Sequence, residues 1–347
     1  MVIRTIYKWH HWTGLLAGLF LLLMSITGSI LVFTDEMEGA SDQPFKEFSN
    51  PSGNYYYDSS FALIRQKYPD YEVRLYGQPR KNEALVYELR GRISSKKVFV
   101  NPTKPQIINA IDGESQLHRR LLLFHYTFFA GKTGKIFVVV FGVLFLLSVI
   151  TGFIIYRKAI WKTIRFKSAF RYNTKSAFYS SLHRHIGVWT LLFNLLIIAS
   201  GLALSIPIAQ NAIKTSDSKP SINTNVIFSL DSVVKRVTRS NPDFEIHLLR
   251  IPAYSNMVKI SGRYKNDPAV YGDYASYFLI NGISKRTQKK QVMRQLPLPE
   301  KLMLMAAPFH FGNYGGILLK IFYCLFGIMP AILSITGFLI SQSRKIR

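Results

Sequence analysis

The sequence predicts an α-helical membrane protein in which four transmembrane helices form two tandem repeats and carry two small extracytoplasmic α+β modules. Three observations predict it: four long apolar runs, a lopsided placement of charge, and identities that recur at constant spacing. Leu15 to Phe33, Ile136 to Tyr156, Ile186 to Ile206 and Ile317 to Ile340 are the runs. Each is long enough for a hydrocarbon core of about 30 Å, which takes roughly 20 helical residues. The averages over 347 residues, a net charge of +25 and 48% hydrophobic residues, suit neither a soluble globule nor a chain wholly in lipid, because the chain is segmented. Arg4 and Lys8 ahead of the first run resemble a signal peptide, but that run is long and no small-residue cleavage site follows, so it reads as an uncleaved anchor.

Charge sets the expected orientation, since short cytoplasmic loops are rich in Lys and Arg. The loop after the second run holds Arg157, Lys158, Lys162, Arg165, Lys167, Arg171 and Lys175, and the tail holds Arg344, Lys345 and Arg347. All 19 acidic residues fall between Asp35 and Glu114 or between Asp217 and Glu300. Both termini are therefore expected in the cytoplasm and both long segments outside it. The expected division is a first transmembrane helix at 1–34, an outer module at 35–117, a pre-helix segment with the second helix at 118–157 and a basic cytoplasmic loop at 158–180. A third helix at 181–207, a second outer module at 208–307, and a fourth helix with the tail at 308–347 complete it. Cys324, the one cysteine, excludes a disulfide and reads as an apolar side chain of the fourth helix.

Two offsets reveal the repeat. His10, Gly14 and Gly28 stand 173 residues before His183, Gly187 and Gly201. Phe124, His125, Gly131, Lys135, Ile136, Phe137, Gly142, Thr151 and Gly152 stand 185 before Phe309, His310, Gly316, Lys320, Ile321, Phe322, Gly327, Thr336 and Gly337. The outer segments repeat more loosely, Ser60 to Tyr76 paralleling Ser232 to Leu249. Each reads as an amphipathic helix stopped at Pro69 or Pro242 and followed by an alternating strand. Further strands are expected at 84–90 and 97–100, and at 257–262 and 277–280, with matching turns at 101–105 and 281–284.

The repeat sorts the eight histidines. His10 and His183 lie at one membrane edge, His125 and His310 at the other. A single histidine at an interface is ordinary, but ionisable residues at repeat-equivalent places beside membrane helices usually face a functional interior. Two apposed imidazoles, with no carboxylate or thiolate at matched positions, fit axial ligation of haem iron. Gly14 and Gly187, four residues after His10 and His183, have two readings: a gap that admits a flat macrocycle, or close helix packing. His118, two turns before His125, competes with it as a ligand, and His11 and His185 are alternates or contacts to propionates and headgroups. His247 reads as a strand residue, and Asn194 lies mid-span. No C-x-x-C-H motif occurs, so covalent haem is excluded.

The opening KWHHWTGLLAG with ITGSILVF, the LHRHIGVW stretch, the recurring ITG and the PD-centred outer modules resemble the PepSY-associated transmembrane family along almost the whole chain. The outer modules are similar to PepSY domains. The resemblance extends to inner-membrane siderophore reductases of the ferrioxamine type. It implies two b-type haems and reduction of an Fe(III)-siderophore in the periplasm, with release of iron. With no flavin or nicotinamide domain in the chain, the implied donor is a quinol or a separate cytoplasmic reductase.

The function expected is therefore electron passage through a haem on His10 and His183, then one on His125 and His310, to a ferric chelate docked between the outer modules. The second module's 15 Lys and Arg against seven acids have two readings, a field that attracts an anionic chelate or an ordinary solvated face. Membrane lipid is the other expected partner, and nucleic acid is not expected. Two rival classes stay open: a non-redox membrane-anchored binding or regulatory protein, and a metal or siderophore permease. The permease is disfavoured by the lack of acids in the spans and of signs of broken helices.

Overall fold

The computed structural model describes residues 2–46, 55–77, 82–91, 94–214, 229–253 and 255–345. Arg347 of the basic tail lies outside the described residues. The helices are α1 (Val2–Leu31), α2 (Thr34–Lys46), α3 (Tyr57–Lys67), α4 (Leu117–Thr127), α5 (Gly131–Tyr156), α6 (Ile160–Ile164), α7 (Lys175–Trp189), α8 (Leu191–Lys214), α9 (Leu230–Ser240), α10 (Leu298–Phe311), α11 (Gly316–Gly327) and α12 (Met329–Lys345). The strands are β1 (Glu72–Tyr76), β2 (Leu85–Arg90), β3 (Ser95–Val100), β4 (Ile107–Asp112), β5 (Phe244–Ile251), β6 (Met257–Tyr264), β7 (Ser276–Asn281) and β8 (Thr287–Gln291).

The chain divides into a helical unit (Met1–Thr34, Leu121–Ser216 and Ala306–Arg347) and a sheet unit (Asp35–Arg120 and Asp217–Met305). In the helical unit four helices are long and apolar enough to cross a membrane: Val2–Leu31, Gly131–Tyr156, Leu191–Lys214 and Gly316–Ser343. α1 packs on α5 and α12, α5 on α8, and α7 on α12. The helices extend beyond the apolar runs. α1 begins at Val2, and α7 begins at Lys175, inside the segment read as a loop.

The two halves of the third helix meet at Thr190, where Thr190 N reaches the Ile186 carbonyl at 2.9 Å and Asn194 N reaches the Thr190 carbonyl at 2.8 Å. α11 passes into α12 at Met329–Pro330, where proline supplies no N–H; Ile328 N still donates to the Cys324 carbonyl at 3.2 Å. A sharper interruption precedes each of the second and fourth spans. α4 turns into α5 through Phe128 and Phe129, both at positive φ, and α10 turns into α11 through Gly312 and Gly316. Positive φ is costly for a bulky side chain. Packing holds it here, Phe128 stacking on Phe20 at 4.3 Å and Phe129 meeting Phe124 at 5.5 Å.

The sheet unit contains a helix and four strands from each outer segment, α3 with β1–β4 and α9 with β5–β8. Its strands form one antiparallel sheet in the order β4-β3-β2-β1-β5-β6-β7-β8. β1 and β5 make the seam, with Val73 opposite Ile251 and Leu75 opposite Leu249. An open strand edge exposes unpaired N–H and C=O groups, and joining two such edges satisfies both. The seam is continuous antiparallel strand pairing over Val73–Tyr76 and Leu248–Ile251.

One face of the sheet is apolar because residues alternate along each strand. Val73, Leu75, Leu85, Tyr87, Leu89, Leu249, Ile260 and Ile280 are buried in a cluster with Phe61 and Ile64 of α3 and Val233 and Val237 of α9. The two helices cap each other. Asp231 accepts from the backbone N–H groups of Tyr57 and Asp58 at 3.2 and 3.1 Å, and Asp58 accepts from Asp231 N at 3.0 Å and Ser229 Oγ at 2.6 Å. The turns also match: the Asn101 side chain accepts from Thr103 N and Lys104 N, and that of Asn281 from Ile283 N and Ser284 N.

α2 lies over the opposite face of the sheet, with Phe45 on Phe99. Beneath it Lys97 is buried, with Nζ 2.9 and 3.1 Å from the Asp42 carboxylate and 3.1 Å from Glu38. His118 Nε2 stands 3.1 Å from the other Glu38 oxygen. Burial alone raises a carboxyl pKa, but the His118 hydrogen bond and the Lys97 charge prevail and hold that of Glu38 down at about 2. Burial opposes the Lys97 charge, yet the carboxylates raise its pKa overall.

Lys97→Met strands two carboxylates beside apolar surface, and breaking a buried pair this way costs about 3–5 kcal/mol. Thermal unfolding of the purified protein is expected to start at lower temperature; an unchanged transition refutes the network's structural role. Because the Glu38 pKa is depressed, its stabilisation is full above the ordinary carboxyl pKa and is lost as pH falls toward about 2. Acid unfolding of Glu38→Gln is therefore expected to depend less on pH over that range than that of the unsubstituted protein.

Candidate histidine-pair site

Each of the four repeat-matched histidines comes from a different helix: His10 from α1, His125 from α4, His183 from α7 and His310 from α10. The structure brings them together two by two. His10 faces His183 with ring centroids 6.2 Å apart, and His125 faces His310 at 6.4 Å. Both pairs lie within the helical unit.

The Nδ1 atom of each ring is already engaged. That of His10 lies 3.0 Å from the Ser148 carbonyl and 3.2 Å from Thr151 Oγ1. In His183 it lies 2.9 Å from Thr336 Oγ1, and in His125 2.9 Å from Thr27 Oγ1. In His310 it lies 3.2 Å from Ser200 Oγ and 3.2 Å from the Ile197 carbonyl. In every case the residue after the hydroxyl is glycine, and the ring edge rests on it. A Cβ at Gly28, Gly152, Gly201 or Gly337 would stand 3.1, 3.1, 3.0 or 3.5 Å from Cε1 of His125, His10, His310 or His183 respectively.

The first and third long helices each supply one histidine and hold another. α1 supplies His10 and receives His125 on Thr27-Gly28, while α5 receives His10 on Thr151-Gly152. α7 and α8 of the third helix supply His183 and receive His310, and α12 receives His183.

The other predicted site residues lie elsewhere. His118 is in the sheet unit against Glu38, so His125 is the residue beside His310. His11 is exposed with its ring edge 5.5 Å from Trp12. His185 bonds through Nδ1 to the Ser181 carbonyl at 2.7 Å. His247 lies in β5 near Glu245. Gly14 and Gly187 do not meet the rings: an added Cβ would touch Ser148 Oγ at 3.7 Å and Leu333 Cδ2 at 3.8 Å. The glycines that meet the rings closely are Gly28, Gly152 and Gly201. Asn194 is buried, its Nδ2 donating to Thr190 Oγ1 at 2.9 Å and its Oδ1 without a partner among the described residues.

The sequence matches the family described as PepSY-associated TM region over residues 7–344. The chain belongs to that family. No curated protein matches it. Membership accounts for the membrane-spanning helices and, since the match runs nearly end to end, takes in the four histidines and all four hydroxyl–glycine pairs.

The geometry suits metal ligation by histidine alone. Two imidazoles each bonding one metal ion at about 2 Å through a ring nitrogen hold their centroids on the order of 6 Å apart. With Nδ1 engaged, Nε2 is the nitrogen left for a ligand. Among the described residues no group of three or more His, Cys, Asp or Glu side chains gathers into a metal site.

Proposed function

We propose that this protein is a di-haem membrane oxidoreductase. In this reading it is built as two tandem repeats with PepSY-like modules in the periplasm and both termini in the cytoplasm. It passes electrons across the inner membrane to reduce an Fe(III)-siderophore or similar ferric chelate. The observation that carries the reading is the two histidine pairs, with centroids 6.2 and 6.4 Å apart and each Nδ1 occupied. Two imidazole donors per site are what a b-type haem would take from the protein, and His10 with His183 and His125 with His310 would hold it.

When bound, haem at each pair supplies one-electron transfer. His10 and His183 hold the site nearer the cytoplasm, where a quinol or a cytoplasmic reductase gives up the electron. His125 and His310 hold the site nearer the periplasm. One electron per iron converts Fe(III) to Fe(II), which siderophores bind less tightly. Iron release follows from that change. The remaining Nδ1 contacts orient the rings, and apolar helices around them exclude water.

An optical spectrum of the purified protein, oxidised and dithionite-reduced, tests the reading. A Soret band with sharpened reduced bands is expected, and their absence sinks it. Replacing His10 or His183 by alanine is expected to remove one haem, and replacing His125 or His310 the other. His118→Ala and His247→Ala are expected to remove none; loss of a haem in His118→Ala with retention in His125→Ala reverses the ligand assignment.

A further inference from the structure

We infer that Thr27, Thr151, Ser200 and Thr336, with Gly28, Gly152 and Gly201 after the first three, are positioning elements. They hold each paired histidine in the tautomer that carries its proton on Nδ1 and its lone pair on Nε2. The inference rests on the haem reading above and assigns roles to residues outside the ligand set.

Hydrogen-bond accounting sets the tautomer. Each hydroxyl lies within bonding distance of its own helix's carbonyl four residues back: Thr27 to Leu23 at 2.9 Å, and Thr151 to Leu147, Ser200 to Leu196 and Thr336 to Ile332 at 2.7 Å each. A hydroxyl has one proton and two lone pairs, and a carbonyl only accepts. With its proton given along the helix, each hydroxyl offers the imidazole an acceptor. At His10 and at His310 a carbonyl also reaches Nδ1, from Ser148 at 3.0 Å and Ile197 at 3.2 Å, and it requires a proton there. One histidine of each pair is thereby fixed by a group that cannot donate. His183 and His125 stand at the same offsets of 173 and 185 residues from these and meet hydroxyls placed alike.

The glycine after the hydroxyl sets ring depth at three of the four. A methyl at position 28, 152 or 201 would press within 3.0–3.1 Å of the ring edge and lift it from the hydroxyl, whereas at 337 the gap of 3.5 Å is ordinary contact. Such an acceptor on the distal nitrogen makes the ligating nitrogen more basic. A more basic ligand favours Fe(III) over Fe(II), so losing the acceptor raises the midpoint potential of the haem concerned.

The test uses the full-length haem-loaded protein in detergent, followed by optical redox titration and low-temperature electron paramagnetic resonance. Thr27→Val and Thr336→Val are each expected to raise the midpoint of one haem and leave the other. The expected change is about tenfold in the Fe(III)/Fe(II) preference, or about 59 mV for a one-electron couple. Thr27→Ser restores the acceptor and is expected to restore the wild-type midpoint. Gly28→Ala is expected to shift the midpoint and low-spin signal of the His125 and His310 haem, while Gly337→Ala leaves both haems as they were. Wild-type midpoints and signals in haem-loaded Thr27→Val and Thr336→Val overturn this inference and leave the haem reading standing. Equal behaviour of Thr27→Val and Thr27→Ser, or of Gly28→Ala and Gly337→Ala, overturns it too. A wild-type protein without haem overturns both.

Discussion

Each imidazole of the two pairs is half-buried among helices, and its Nδ1 finds a partner there. The helical unit supplies that partner four times as a hydroxyl at Nδ1, and three times adds a glycine that lets the ring lie close. Because the acceptor always sits on another helix, the contact is also a tie between helices. His10 joins α1 to α5, His125 joins α4 back to α1, His183 joins α7 to α12, and His310 joins α10 to α8. The arrangement of spans and the aim of the histidines are one constraint seen from two sides.

The sheet unit obeys a different constraint, the completion of strand edges. β1 and β5 satisfy one another along the seam, and α3 and α9 exchange caps through Asp58 and Asp231. The Lys97 cluster fastens α2, the segment immediately after the first span, to β3 and the start of α4. It is the polar counterpart of the apolar cluster on the opposite face, and His118 belongs to it.

Much of this was legible in the sequence, and the remainder was hidden for definable reasons. The spans are readable because lipid imposes length and apolarity, and the four histidines because constant offsets separate them from the rest. The strands with alternating apolar residues, such as 85–90 and 257–264, follow from their period of two. β8, reading Thr-Gln-Lys-Lys-Gln, has no apolar alternation, because it is an edge strand whose pairing is made by the backbone. The seam is invisible for a related reason: an unpaired edge looks the same in sequence whether it meets solvent or another strand. The ITG words were visible, but their role depends on which helix faces which. Reasoning along one helix does not reveal the ring's neighbours, because they arrive from a different helix.

The seam between β1 and β5 also has a bearing on how the protein is made. Val73 pairs with Ile251 only after the second and third membrane-crossing helices have been synthesised, since both lie between them in the chain. During synthesis the first four strands wait with an open edge, and such edges invite pairing with other chains. Closure of that long loop is a late event by its sequence separation. Biogenesis is therefore most exposed to misassociation in the interval between emergence of β1 and arrival of β5.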